Sequence, residues 1–166
     1  FFEKVDQFYE NTPSNYRYLA ELALVIISEN TVLSDLSETM KGVVYDPLRN
    51  MFKDHIVDES FHAKFFSKVL TIVWSQLDES QRILMANYLC DSIDILSTPR
   101  VDIFYYSLRN LGFSDSTINE TISETYTAEE QILRSKKRYK KTFKNMFKSI
   151  DALELEPVAQ KLTSMK

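Results

Sequence analysis

Only two glycines and four prolines interrupt these 166 residues. A multi-stranded β fold needs a tight turn between successive strands, so this scarcity argues for long helices joined by few connections. A single cysteine, Cys90, excludes an internal disulfide and fits a reducing, cytoplasmic setting. No apolar run approaches the ~20 residues needed to cross a membrane, and the start does not read as a charged-then-apolar signal sequence. Basic residues are outnumbered, 20 against 24, and the resulting net charge of −4 argues against nucleic acid as a partner. The sequence opens Phe1-Phe2 rather than with Met, which reads as a piece of a longer polypeptide or a processed chain.

Apolar residues are plentiful, at 44% overall with 13% aromatics, enough to bury the core of one domain. They recur at helical spacing throughout, so the expected fold class is all-α. Thr12-Pro13-Ser14 introduces a helix over about 15–36, with an apolar stripe of Tyr18, Leu22, Val25, Ile26, Val32, Leu33 and Leu36. A second helix spans about 47–77, with its stripe running from Leu48 and Met51 to Leu70 and Val73. Asp78 with Gln81 reads as an N-cap and its reciprocal partner, opening a helix to about Leu96. Ser97-Thr98-Pro99 starts the next, which stops near Gly112. Ser114 caps a short helix to about Tyr126, and Thr127 to Glu130 reads as a capping box for a last long helix to about Ile150. A short tail helix follows Pro157. The expected organisation is one helical domain over residues 1–166.

The scarcest residue with chemistry to offer is histidine. Both copies fall in one run, His55-Ile-Val-Asp-Glu59-Ser-Phe-His62. At ~100° per residue, His55, Glu59 and His62 share a narrow stripe of the second helix. Glu29 lies among the apolar positions of the first helix, between Val25, Ile26, Val32 and Leu33. A carboxylate there is expected to be buried, and an unpaired buried charge is costly unless it meets a cation or a metal. Antiparallel packing of the two helices would join Glu29 to the His-Glu-His stripe. Bundle di-metal sites are assembled this way, with a Glu from each of two helices and a Glu-x-x-His from each of two others. Glu59-Ser-Phe-His62 is a Glu-x-x-His, and oxygen-rich ligands with some imidazole suit iron or manganese better than a structural zinc. Asp58 would accept an imidazole N–H from a histidine ligand on another helix. Glu21, two turns before Glu29 and near Arg17, reads as a salt-bridge or supporting group. The competing reading is a hydrogen-bonded polar core without metal.

The run from Tyr45-Asp46-Pro47 through His55, Asp58-Glu59, His62-Ala63 and Phe65-Phe66 resembles the signature of the p-aminobenzoate N-oxygenase family. Ser28-Glu29-Asn30 is similar to that family's preceding ligand helix, and Leu108 to Gly112 with the helix after it is similar as well. The resemblance implies a ferritin-like helical bundle and two iron ions held in part by Glu29, His55, Glu59 and His62. It implies O₂ and a small-molecule amine as substrates, giving hydroxylamine, nitroso or nitro products. It also implies an external electron donor, since no flavin or nicotinamide motif is visible. The family's site takes one more Glu and one more Glu-x-x-His, and no third histidine exists here. The chain is therefore expected to be the C-terminal half of a larger ferritin-like di-iron domain, with a homodimer pairing two half-sites as the alternative. The alternatives to N-oxygenation are another oxidative or storage role on the same metal, and a non-catalytic helical module.

Three further features have plain readings. Arg134, Lys136, Lys137, Arg138, Lys140, Lys141, Lys144 and Lys148 make the last long helix basic, as a solvated face, with docking of an acidic reductase as the sharper alternative. Trp74, Phe104, Tyr105 and Tyr106 read as core packing. Cys90, on an apolar helix, reads as inert.

Overall fold

The computed structural model describes residues 1–97, 100–125 and 128–165, leaving aside the side chains of residues 125, 128–132 and 134–136. The described residues contain no strand, and the chain is an all-α, ferritin-like helical bundle. Its α-helices are α1 (Phe2–Glu10), α2 (Arg17–Gly42), α3 (Asp46–Gln76), α4 (Glu79–Leu96), α5 (Val101–Asn110), α6 (Asp115–Thr125), α7 (Ala128–Ser149) and α8 (Glu156–Ser164). A single 3₁₀ turn, Ser14–Tyr16, leads into α2.

Local chemistry fixes three of the boundaries. At the start of α4, Asp78 Oδ1 accepts from the Gln81 backbone N–H at 2.8 Å. Gln81 Oε1 accepts from the Asp78 N–H in return, at 3.1 Å, closing the capping box read from the sequence. Ser114 Oγ accepts from the Thr117 N–H at 3.2 Å and opens α6. Gly112, at φ +90°, ends α5: the Phe113 N–H reaches back to the Leu108 carbonyl and the Gly112 N–H to that of Arg109. The Thr127 capping box and the Thr98-Pro99 start lie outside the described residues. Helix α1 was not anticipated. It has no side-chain cap, and it is held by packing, with Phe8 buried and edge-on to Tyr88 at 5.7 Å between ring centroids. Helix α2 also runs six residues past its expected end, to Gly42.

The long antiparallel pair α2 and α3 forms the backbone of the fold, and α4 packs on α2. Leu19, Ala20, Ala23, Ile26 and Ile27 of α2 meet Leu70 and Trp74 of α3 and Met85, Ala86, Leu89 and Ile93 of α4. Small residues at 20, 23 and 86 let the helix axes approach closely. Phe143 and Phe147 of α7 and Val158 of α8 close the core from the far side.

The expected apolar stripe of α2 divides in two. Ile26 is buried, but Tyr18, Val25 and Val32 are exposed, as are Leu48 and Met51 on α3. These side chains sit on a second apolar face that the described residues leave uncovered. Tyr106 corrects the core reading of α5: its ring is 63% exposed and the helix buries no residue fully. Trp74 does belong to the core.

Removal of Phe143 should therefore be severe. Phe143→Ala is expected to cost about 3–5 kcal/mol, and Tyr106→Ala less than ~0.5 kcal/mol, as measured by urea unfolding.

Candidate metal centre

Antiparallel packing of α2 and α3 places Glu29 against the His-Glu-His stripe, as the sequence implies. His62 Nδ1 stands 3.5 Å from Glu29 Oε2 and 3.4 Å from Glu59 Oε2. Ligand atoms of Glu29, Glu59 and His62 all lie within 4.8 Å of one another. His55 is one turn away on the other side of Glu59, its Nε2 3.8 Å from Glu59 Oε1. Each oxygen of Glu59 thus faces a different imidazole. A carboxylate so placed can bridge two ions.

The expectation that this group is buried needs correction. The Glu59 and Glu29 side chains are largely covered, at 14% and 25% exposure, but those of His62 and His55 are 56% and 61% exposed. Asp58 is exposed on the same side. The reason lies in the two-faced helices. The stripe of Glu29, His55, Glu59 and His62 runs along the border between the packed face and the uncovered apolar face, so the carboxylates tuck into the α2–α3 seam while the imidazoles look outward.

Electrostatics within the seam are unfavourable in the metal-free state. Burial raises the Glu29 carboxyl above its ordinary 4.5, and the hydrogen bond and charge of Glu59 raise it further, against a lowering by His62. Among the described residues, no lysine or arginine pairs with either carboxylate. A bound divalent cation would reverse this balance. Two carboxylates and two imidazoles, with no basic side chain to compete, form a donor set that fits iron or manganese. Glu21 stays outside the group, lining a separate cleft with Asp6, Tyr9, Glu10 and Arg17.

The family model described as P-aminobenzoate N-oxygenase AurF matches residues 2–150. The chain belongs to that family. No curated protein and no solved structure matches it. The AurF family is one of di-iron oxygenases, which agrees with the Glu/His group at the α2–α3 seam. No helix among the described residues is long and apolar enough to cross a membrane.

The sequence gives no sign of a second polar cluster, which joins α7 to α2. Asp35 Oδ1 accepts from Tyr139 Oη at 2.6 Å and from Arg138 Nη2, whose guanidinium also lies over the Tyr139 ring. The partners are over a hundred residues apart, so no local pattern reveals it. Cys90 is buried on α4, and burial pushes its thiol up to about 12, which disfavours the reactive thiolate.

A carboxyl whose pKa is raised holds its proton more tightly in the folded state, so protonated Glu29 favours folding at low pH. That contribution is lost as pH rises from its ordinary value through the raised one. Glu29→Gln should therefore raise the thermal midpoint of the metal-free protein at neutral pH, and the gain should fade as pH falls toward 4.5. Calorimetry across that window checks it.

Proposed function

We propose that this chain supplies half of the di-iron centre of an oxygenase that oxidises an amine nitrogen. Glu29, His55, Glu59 and His62 would be its metal ligands. The observation that carries the reading is the convergence of Glu29, Glu59 and His62 from two helices on one point, within a chain of the AurF family.

In this reading Glu29 and Glu59 would supply carboxylate oxygens to the metal and His55 and His62 imidazole nitrogens, with one oxygen of Glu59 facing each ring. Asp58 accepts an N–H from a histidine ligand on a completing helix and fixes that ring's tautomer. The remaining Glu and Glu-x-x-His come from a segment outside this sequence. Support comes from the uncovered face around the ligands. Tyr18, Val25 and Val32 on α2 repeat every seven residues, as do Leu48, His55, His62 and Val69 on α3. Met51, Asp58, Phe65 and Ile72 form a parallel column. Heptad columns of this kind pack against further helices, and a completing pair would both add ligands and exclude water. A symmetric dimer of half-sites is the alternative source of those ligands. When held, the iron pair supplies the reductive activation of O₂ and the delivery of oxygen to nitrogen. The electrons come from an external donor.

Metal analysis of the full-length protein tests the reading. About two irons per chain are expected, with loss on Glu59→Ala or His62→Ala. An amine supplied with O₂ and reductant should yield hydroxylamine, nitroso or nitro product. Iron binding without amine oxidation would point to another oxidative role in the same bundle. Metal-free protein whose stability is unchanged by His62→Ala would leave only a non-catalytic module.

A further inference from the structure

Eight of the chain's twenty Lys and Arg lie between residues 134 and 148, a stretch with no Asp or Glu, although the chain as a whole carries −4. Lys137, Lys141, Lys144 and Lys148 of α7 are four, three and four residues apart, and all four are exposed. At ~100° and ~1.5 Å per residue they form a single stripe about 16 Å long, within an arc of ~60°. The opposite side of α7 is buried through Tyr139, Phe143, Met146 and Phe147.

A helix face shaped only by solvation mixes signs, because acid–base pairs at i,i+4 stabilise a helix and like pairs weaken it. Every neighbouring pair along this stripe is like-charged, and among the described residues none of the four lysines has an ion-pair partner.

The stripe is also mechanically tied to the ligand helices. Beside Lys137, Arg138 and the buried Tyr139 hold Asp35 of α2. Asp35 is six residues beyond Glu29, about 9 Å along the helix.

We propose that the α7 lysine stripe is the docking surface for an acidic one-electron carrier protein. This rests on the oxygenase reading above, which needs electrons that the chain cannot generate itself. Each carrier gives up one electron to the metal centre and leaves oxidised by one, so docking has to be fast and brief. Compact, strongly hydrated ammonium groups suit that role: they steer an acidic partner from a distance, and they hold it less firmly than bidentate guanidinium groups would. A membrane surface fits poorly, because the apolar side of α7 is already buried in the core and cannot insert. A nucleic acid would extend beyond the stripe over a predominantly acidic remainder.

The test is binding of the full-length protein to an acidic two-iron, two-sulfur ferredoxin of plant type, and to a flavodoxin, followed by titration. Binding should weaken at least about tenfold between ~50 and ~300 mM salt. It should weaken by a similar factor in the double variant Lys141→Glu/Lys144→Glu, with Lys141→Gln/Lys144→Gln intermediate and circular dichroism unchanged. Absence of binding to either carrier at low salt, or binding indifferent to the variants, overturns the proposal. So does tighter binding of wild-type protein to single-stranded DNA or to phosphatidylserine vesicles. Carrier that docks through the stripe but is never oxidised in the iron-loaded protein supports the surface and counts against the oxygenase reading instead.

Discussion

Glu29 and Glu59 sit on neighbouring helices with their carboxyl groups side by side in a partly covered seam, and among the described residues no ammonium or guanidinium group pairs with either. Such an arrangement opposes folding: the Glu29 carboxyl loses water, and the neighbouring Glu59 adds to the cost of its negative charge. It persists because the helices are held together elsewhere. Leu19, Ala23, Ile26 and Ile27 of α2 pack with Leu70 and Trp74 of α3 and with α4, and burial of that area outweighs a local repulsion. The core therefore acts as a clamp that presses two acids together. A protein without use for a cation at this point would gain stability from almost any apolar replacement.

The same clamp explains why the helices are two-faced. A packed helix pair needs one apolar stripe per helix, yet α2 and α3 each carry a second. Tyr18, Val25 and Val32 lie on one, and Met51, Phe65 and Ile72 on the other, all exposed. The ligand residues run between packed and open faces.

Legibility in the sequence followed the range of the interactions. The cap of α4 at Asp78, the stop of α5 at Gly112 and the partnership of Glu29 with His62 follow from spacing within one or two helices. They could be read directly. Helix α1 could not, because it has no cap and is stabilised by distant contacts such as Phe8 against Tyr88. Which apolar residues of α2 would be buried was only partly legible. Periodicity identifies apolar stripes but not which of two stripes finds a partner, so Tyr18 and Val25 read as core although they lie open. The Asp35, Arg138 and Tyr139 cluster was beyond any local reading, since its members meet only after the whole chain has folded.

That cluster has a geometric consequence for how two partners can share one small bundle. Asp35 is six residues past Glu29, about a third of a turn around α2 from the ligand column. Helix α7 is thus anchored on the flank of α2 across the open column from Glu29, with Val32 only about 60° from Asp35, while its lysines point outward from the core. Helices completing the metal site and a protein docking on the lysines would use different sides of the same α2. The acidic majority of the chain sharpens this separation, because a negatively charged partner is attracted to the stripe and repelled from most of the remaining surface. A charge distribution that would be a poor choice for stabilising one helix is effective at orienting an encounter, with α2 as the element common to both.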